Sequence, residues 1–173
     1  MLKLLPFTID DADQLISWFE NEDSLVQFAG PIFTYPLTKE QIAVHLTDAS
    51  RLIYKAIDQE SSLVIGHGEI AIVPDEPPKL TCLIIGDKKF RGKGLGKELT
   101  RQLTALAFDR LQADAVQLYV YDWNKNAFEL YKSLGFKVNP DKALTTVVNG
   151  QSWVAINMVI QKSPAPPYQM PLR

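Results

Sequence analysis

Hydrophobic and polar positions recur along this chain with two periods, and the switches between them mark its elements. Leu2 to Phe7 reads as a short first strand. Thr8-Ile9-Asp10 offers a helix start, and Ala12, Leu15, Ile16 and Phe19 follow at i, i+3, i+4 and i+7, which predicts a helix ending near Asn21. Asn21 to Pro36 shows neither period. It holds Phe28, Phe33 and Tyr35, is broken by Gly30 and Pro31, and reads as a long irregular loop of the kind that is often functional. Thr38 to Gln41 has capping-box spacing, and the helix it opens carries Ile42, Leu46 and Ala49. Leu52 to Ile57 and Leu63 to Val73 predict two antiparallel strands about the polar turn Asp58 to Ser62. Pro74, Pro77 and Pro78 bar a strand from that stretch, and Lys79 to Gly86 follows as a third strong strand.

After a glycine-rich segment, Leu95, Leu99, Leu103 and Leu106 form one stripe of a long helix. Val116 to Tyr121 is a strand. Asn124 to Leu134 is a helix with Ala127, Leu130, Tyr131 and Leu134 inward, stopped by Gly135. Closing strands lie near Phe136 to Val138 and Gln151 to Ile160. This order, without internal repeats, predicts an α/β or α+β fold. One domain is expected over 1–162, with a proline-rich tail over 163–173 read as an extended, weakly ordered end.

Composition narrows the function classes. The chain has 173 residues, 46% hydrophobic and 22% charged, as ordinary globular domains do. A net charge of −2 disfavours nucleic acid as the main partner, although Lys88, Lys89, Arg91, Lys93 and Lys97 make a local basic patch. No apolar run approaches the roughly 20 residues of a membrane span. Met1 to Phe7 is too short for a signal peptide, so a cytoplasmic protein is expected. The single cysteine, Cys82, fits a reducing compartment and reads as a small buried side chain between apolar neighbours. No cluster of His, Cys and carboxylates has metal-ligand spacing, so no metal is expected.

The chemistry concentrates in Arg91-Gly92-Lys93-Gly94-Leu95-Gly96, between the third strong strand and the long helix. Glycines let the backbone turn sharply, and the helix start adds unpaired N–H groups and partial positive charge. Together they make an anion site suited to a pyrophosphate. A Walker loop fails, because Arg91 stands where its first glycine belongs and Glu98 where its Ser or Thr belongs. A dinucleotide fingerprint fails as well, with Lys97 in place of the third glycine.

Arg-x-x-Gly-x-Gly after a strand, here Arg91, Gly94 and Gly96, resembles the coenzyme A loop of the GNAT family of N-acetyltransferases. A second stretch is similar to the family pattern Asn-x-x-Ala-x-x-Leu-Tyr-x-x-x-Gly-Phe, with Asn124, Ala127, Leu130, Tyr131, Gly135 and Phe136 at the matching places. The likeness covers Leu2 to about Lys162. The opening, with Trp18, Phe19 and Gly30 to Phe33, looks most like the branch of ribosomal-protein N-terminal acetyltransferases.

The resemblance implies a mixed, mostly antiparallel sheet of six to seven strands, splayed in the middle and flanked by about four helices. It implies acetyl-CoA as co-substrate, a primary amine as acceptor, and a monomer or homodimer. Pantetheine would lie between the parted strands near Ile84, Ile85 and Gly86, and the pyrophosphate on Gly92, Lys93, Gly94, Leu95, Gly96 and Lys97, with Arg91 beside it. Lys88, Lys89 and Lys125 are candidates for the remaining phosphate. Asn124 would cap its helix and also meet the pantetheine arm beside Ala127, and Tyr131 would hydrogen-bond the sulfur or relay a proton to it.

For the general base, Glu69 is the first candidate, with His67 on the same strand face and Asp122 as another possibility. His45 reads as a surface or boundary residue. Trp18, Phe28, Phe33, Tyr35 and Trp153 are candidates to line a cleft. A non-catalytic acyl-CoA-binding module on the same fold, and a nucleotide-phosphate enzyme using the loop, remain as alternatives.

Overall fold

The computed structural model describes residues 1–163; the proline-rich tail lies almost wholly outside them. Seven strands form one sheet in the order β1-β2-β3-β4-β5-β7-β6. They are β1 (Leu2–Pro6), β2 (Arg51–Asp58), β3 (Val64–Ala71), β4 (Lys79–Ile85), β5 (Ala115–Tyr121), β6 (Lys137–Val148) and β7 (Gln151–Gln161). Every neighbouring pair is antiparallel except β4 with β5, which is parallel.

Among the described residues five α-helices cover the sheet: α1 (Ala12–Ile16), α2 (Glu22–Ala29), α3 (Lys39–His45), α4 (Leu95–Arg110) and α5 (Lys125–Ser133). None is long and apolar enough to cross a membrane. On one face, Leu99, Leu103 and Ala107 of α4 pack with Leu80, Val116, Leu118, Phe136 and Met158. Each fully buried leucine of that stripe contributes about 2 kcal/mol by leaving water. A Cβ on Gly68 would come within 2.6 Å of Leu103 Cδ1, so the bare glycine is what lets α4 sit this close to β3. On the other face, α1, α2 and α3 bring Leu15, Leu25, Phe28 and Ile42 onto Phe7 and Cys82.

Four local expectations are corrected. The stretch after Asn21 is not irregular: Asn21 Oδ1 accepts the Ser24 N–H at 2.8 Å, Glu22 and Asp23 fill the first turn, and α2 runs to Ala29. The first helix is correspondingly shorter, ending at Ile16. The capping box at Thr38 is half made. Thr38 Oγ1 accepts the Gln41 N–H at 3.3 Å, but the Gln41 side chain turns away to bond Thr34 and Pro36. The strand expected near Phe136 to Val138 continues to Val148, because a register shift between Val138 and Ala143 carries Pro140 past the ladder.

Candidate active site

The site begins where two strands part. β4 and β5 pair only at Lys79 with Gln117 and Leu80 with Leu118. Beyond Leu80, β4 stays with β3 alone. The β3–β4 register shifts between His67 and Glu69, and Cys82 there adopts φ +52°. This bulge reverses the side-chain alternation. Leu83 and Ile85 pack with Leu80 against the α4 core, whereas Cys82 and Ile84 join the N-terminal helices. The Ile84 carbonyl lies over Gly66 of β3, so alternation turns the backbone groups of Leu83 and Ile85 toward the gap. A cleft of about 770 Å³ opens there, lined by β4, by α2 and by the facing surface of β5, β6 and β7.

The glycine loop stands where β4 leaves the cleft. Gly92 and Gly94 have φ +74° and +77°, and a Cβ at either would meet nothing within 4 Å. Gly94 caps α4 without a side-chain bond, and the first helical hydrogen bond is Glu98 N–H to the Gly94 carbonyl at 3.1 Å. The amides of Gly92 through Lys97 donate to no other described residue, so they form an open concavity of N–H groups at a helix start. Arg91 is differently placed from a simple phosphate ligand. Its Nε donates to the Ile85 carbonyl (2.9 Å) and its Nη2 to the Gly86 carbonyl (3.0 Å), tethering the loop to the end of β4. Lys93 lies over the Phe90 ring at 5.4 Å, and Lys88 bridges to Glu20 at 2.7 Å.

Tyr131, Asn124 and Ala127 line the cleft together. Asn124 Oδ1 accepts the Ala127 N–H at 3.3 Å, which caps α5. Its amide NH₂ has no partner among the described residues. The Tyr131 ring packs on Phe136 at 6.2 Å, and burial pushes its phenol up to about 12.

Glu69 lies apart from the cleft surface. It is fully buried on β3, opposite Thr81, and its two carboxylate oxygens are saturated. Oε1 meets His45 Nε2 at 2.9 Å and His67 Nε2 at 3.0 Å, and Oε2 accepts from Arg51 Nη1 at 3.0 Å. Burial alone would raise this carboxyl; the hydrogen bonds from His45 and His67 outweigh it and hold the group well below the usual carboxylate range. His67 is wedged between the Phe7 and Phe28 rings, and its Nδ1 is buried without a partner. Asp122 is exposed past the end of β5. Cys82 is buried, and burial pushes its thiol well up.

The structure therefore brings Ile84, Ile85, Arg91, Asn124, Ala127 and Tyr131 to one cleft and sets the glycine loop at its end. Gly86 lies beneath Trp18, whose ring would stand 1.8 Å from a Cβ there. Of the aromatic candidates, Trp18 and Phe28 line the cleft. Phe33 packs on His45 instead, Tyr35 donates to the Glu20 carbonyl, and Trp153 stacks edge-on with Tyr121 and Trp123. Sequence reasoning missed Ser24 and Gln27 of α2 and the bulge at Cys82. The Asn21-to-Ser24 cap was a usable signal for the first; nothing local marks the second. No group of three His, Cys, Asp or Glu among the described residues has metal-holding geometry.

The family model of the acetyltransferase (GNAT) domain matches residues 1–137. Thialysine N-epsilon-acetyltransferases of Bos taurus and Sus scrofa are each 38% identical to this chain over 47 residues, 27% of this chain and 27% of the relative. The chain thus aligns with about a quarter of the length of those curated relatives. Among solved structures, spermidine N-acetyltransferase from Vibrio cholerae in complex with CoA and spermine superposes with a TM-score of 0.76 at 20% identity, covering 92% of this chain and 95% of that one. A dodecameric form of the Vibrio cholerae enzyme superposes with a TM-score of 0.69 at 19% identity, covering 92% and 93%. These likenesses establish the shared fold.

Proposed function

The chain belongs to the GNAT acetyltransferase family, and from that premise we propose that it moves an acetyl group from acetyl-coenzyme A to a primary amine, of a small molecule or a peptide N-terminus, by direct transfer in a ternary complex. The observation that carries this reading is the row of unpaired amides from Gly92 to Lys97 at the end of a cleft opened by the parting of β4 and β5.

The residues present fit coenzyme A. The open amides suit a diphosphate, and Lys93 and Lys97 add charge beside it. Arg91 supports the loop through the Ile85 and Gly86 carbonyls and keeps further N–H donors in hand. The freed edge of β4 offers an extended amide chain the backbone groups of Leu83 and the Ile85 N–H, the Ile85 carbonyl being held by Arg91, and the unused Asn124 NH₂ offers one more. When bound, the coenzyme supplies the thioester. The chain's own part is to hold its carbonyl near the β4 amides, to exclude water with α2, and to present the Tyr131 hydroxyl to the sulfur.

Among the described residues the cleft lining holds no imidazole, and its one carboxylate, Glu20, is bridged to Lys88. Glu69 is enclosed by its partners, and we read it as the holder of the bulge rather than as the base. The acting unit is the single domain 1–162. The narrower likeness to the ribosomal-protein branch rests on Trp18, Phe19 and Gly30 to Phe33, all of which but Phe33 line the cleft.

The test is calorimetric titration with CoA and with ATP, followed by thiol release from acetyl-CoA with amines present. CoA binding at least roughly tenfold tighter than ATP, with amine-dependent release, is expected. Binding without release for any amine would identify a non-catalytic acyl-CoA-binding module. No CoA binding would overturn the reading altogether.

A further inference from the structure

We propose that Lys79 selects the acceptor, so that the amine this site takes carries a negatively charged group and polycations are poor substrates. The inference rests on the N-acetyltransferase reading above and narrows its acceptor.

β4 runs the length of the cleft, from Lys79 to Ile85. Six residue steps at strand rise make that about 20 Å. The donor enters over the glycine loop, which follows the Ile85 end, and Lys79 and Thr81 line the opposite end of the cleft, where β4 and β5 close together and the acceptor is to be held. Lys79 lies on the cleft side of β4, half-buried, with its ammonium 5.9 Å from the centre of the Tyr119 ring. It forms no ion pair among the described residues. Glu76, three residues earlier, is instead engaged by Gln117 at 2.9 Å and Lys142 at 3.1 Å. An ammonium over an aromatic face, near enough to Glu76 to feel its charge but bonded to no described carboxylate, is a ready contact for an anionic ligand.

The rest of the lining points the same way. A polyamine exchanges water for carboxylates when it is bound tightly, because each buried charge needs a partner. Only one carboxylate, Glu20, lines the cleft among the described residues, and it is bridged to Lys88 at 2.7 Å near the phosphate loop. The other cation of the acceptor region, Arg51, is already held by Asp48 (2.9 Å) and Glu69 (3.0 Å). Tyr119 lies beside Lys79, and elsewhere the cleft is lined by Phe28, Tyr121, Leu144 and Ala155, which suit an apolar body and supply a polycation no carboxylate.

The experiment compares amines at saturating acetyl-CoA, read as thiol release, after CoA binding has been shown by calorimetry. The probes are matched pairs, phenylalanine with phenylalaninamide and methionine with methioninamide, beside spermidine. The carboxylate makes its neighbouring amine more basic, so proton availability works against the expected order. The acids should exceed their amides in kcat/KM by about tenfold, with spermidine lowest. Lys79→Ala and Lys79→Gln should erase the preference while changing CoA affinity by no more than about twofold, and Lys79→Glu should invert it toward spermidine. Three outcomes would overturn the proposal: spermidine or the amides used as well as the acids, a preference that survives Lys79→Ala, or no turnover of any acid by protein that binds acetyl-CoA. Failure to bind acetyl-CoA would instead sink the underlying N-acetyltransferase reading.

Discussion

Tyr131 lines the cleft, its hydroxyl has no hydrogen-bond partner among the described residues, and burial pushes it up to about 12. A thiol such as the leaving sulfur ionises near 8.5, so outright proton transfer from Tyr131 would run uphill by about 5 kcal/mol. Donation of a hydrogen bond to the developing thiolate carries no such cost. Tyr131→Phe should therefore lower kcat roughly 10- to 100-fold, the worth of one hydrogen bond to a charged group, and leave the KM for acetyl-CoA nearly unchanged. Steady-state kinetics checks it, and unaltered turnover would take Tyr131 out of the chemistry. If wild type shows an ionisation near 8 or 9 that the variant lacks, a proton-donor role replaces the hydrogen-bond role. The residue scale also shows where pattern reading succeeds. Asn124, Ala127 and Tyr131 sit at helical offsets, so their sharing one side of α5 was legible in spacing, whereas the cleft they line was implied only by the family resemblance.

Between elements, the contact of Trp18 with Gly86 fixes how the segment after α1 seats on the end of β4. Gly86 has no unusual backbone requirement. It is glycine because the Trp18 ring occupies the place of a side chain, with Cδ2, Cε3 and Cε2 all within 2.3 Å of where a Cβ would stand. Gly86→Ala must push the indole outward, at a cost of about 2 kcal/mol in stability, and should weaken CoA binding by loosening the same wall. Shortening the ring in the double variant Trp18→Leu/Gly86→Ala should recover part of both losses, which urea unfolding and CoA titration would measure. Simple additivity of the two changes would refute the coupling. The order of strands and helices along the chain, the long α4 and the glycine loop were readable because each is local: a period, a cap or a turn. The missed α2 is short, and its aromatic Phe28 and flanking Gly30 imitate a loop. The cleft-forming bulge was not readable, because φ +52° at Cys82 is a conformation that a cysteine's own backbone preference does not signal.

Across the whole molecule, one buried carboxylate ties together parts that chain order keeps distant. Glu69 on β3 holds His45 of α3, Arg51 at the start of β2 and His67 beside it, directly across from Thr81 and the bulge that opens β4. Arg51 in turn holds Asp48 in the turn before β2. The folded carboxyl is held well below its unfolded value near 4.3–4.5, so its contribution to stability is complete above that value and is lost as the pH falls through and below it. Glu69→Gln keeps the shape but strands Arg51 and the imidazoles, and should cost about 3 kcal/mol at neutral pH. Its melting temperature should also fall less steeply than wild type between about pH 5 and pH 3, so that the two curves converge in acid. Parallel curves would show that Glu69 contributes nothing to the acid response. The same variant separates holding from catalysis. A general base would take the acidic limb of kcat/KM with it when replaced, whereas a residue that maintains the bulge lowers turnover and leaves the limb set by the acceptor amine itself. Because the carboxylate is enclosed on every side by its partners, the retained limb is the expected result.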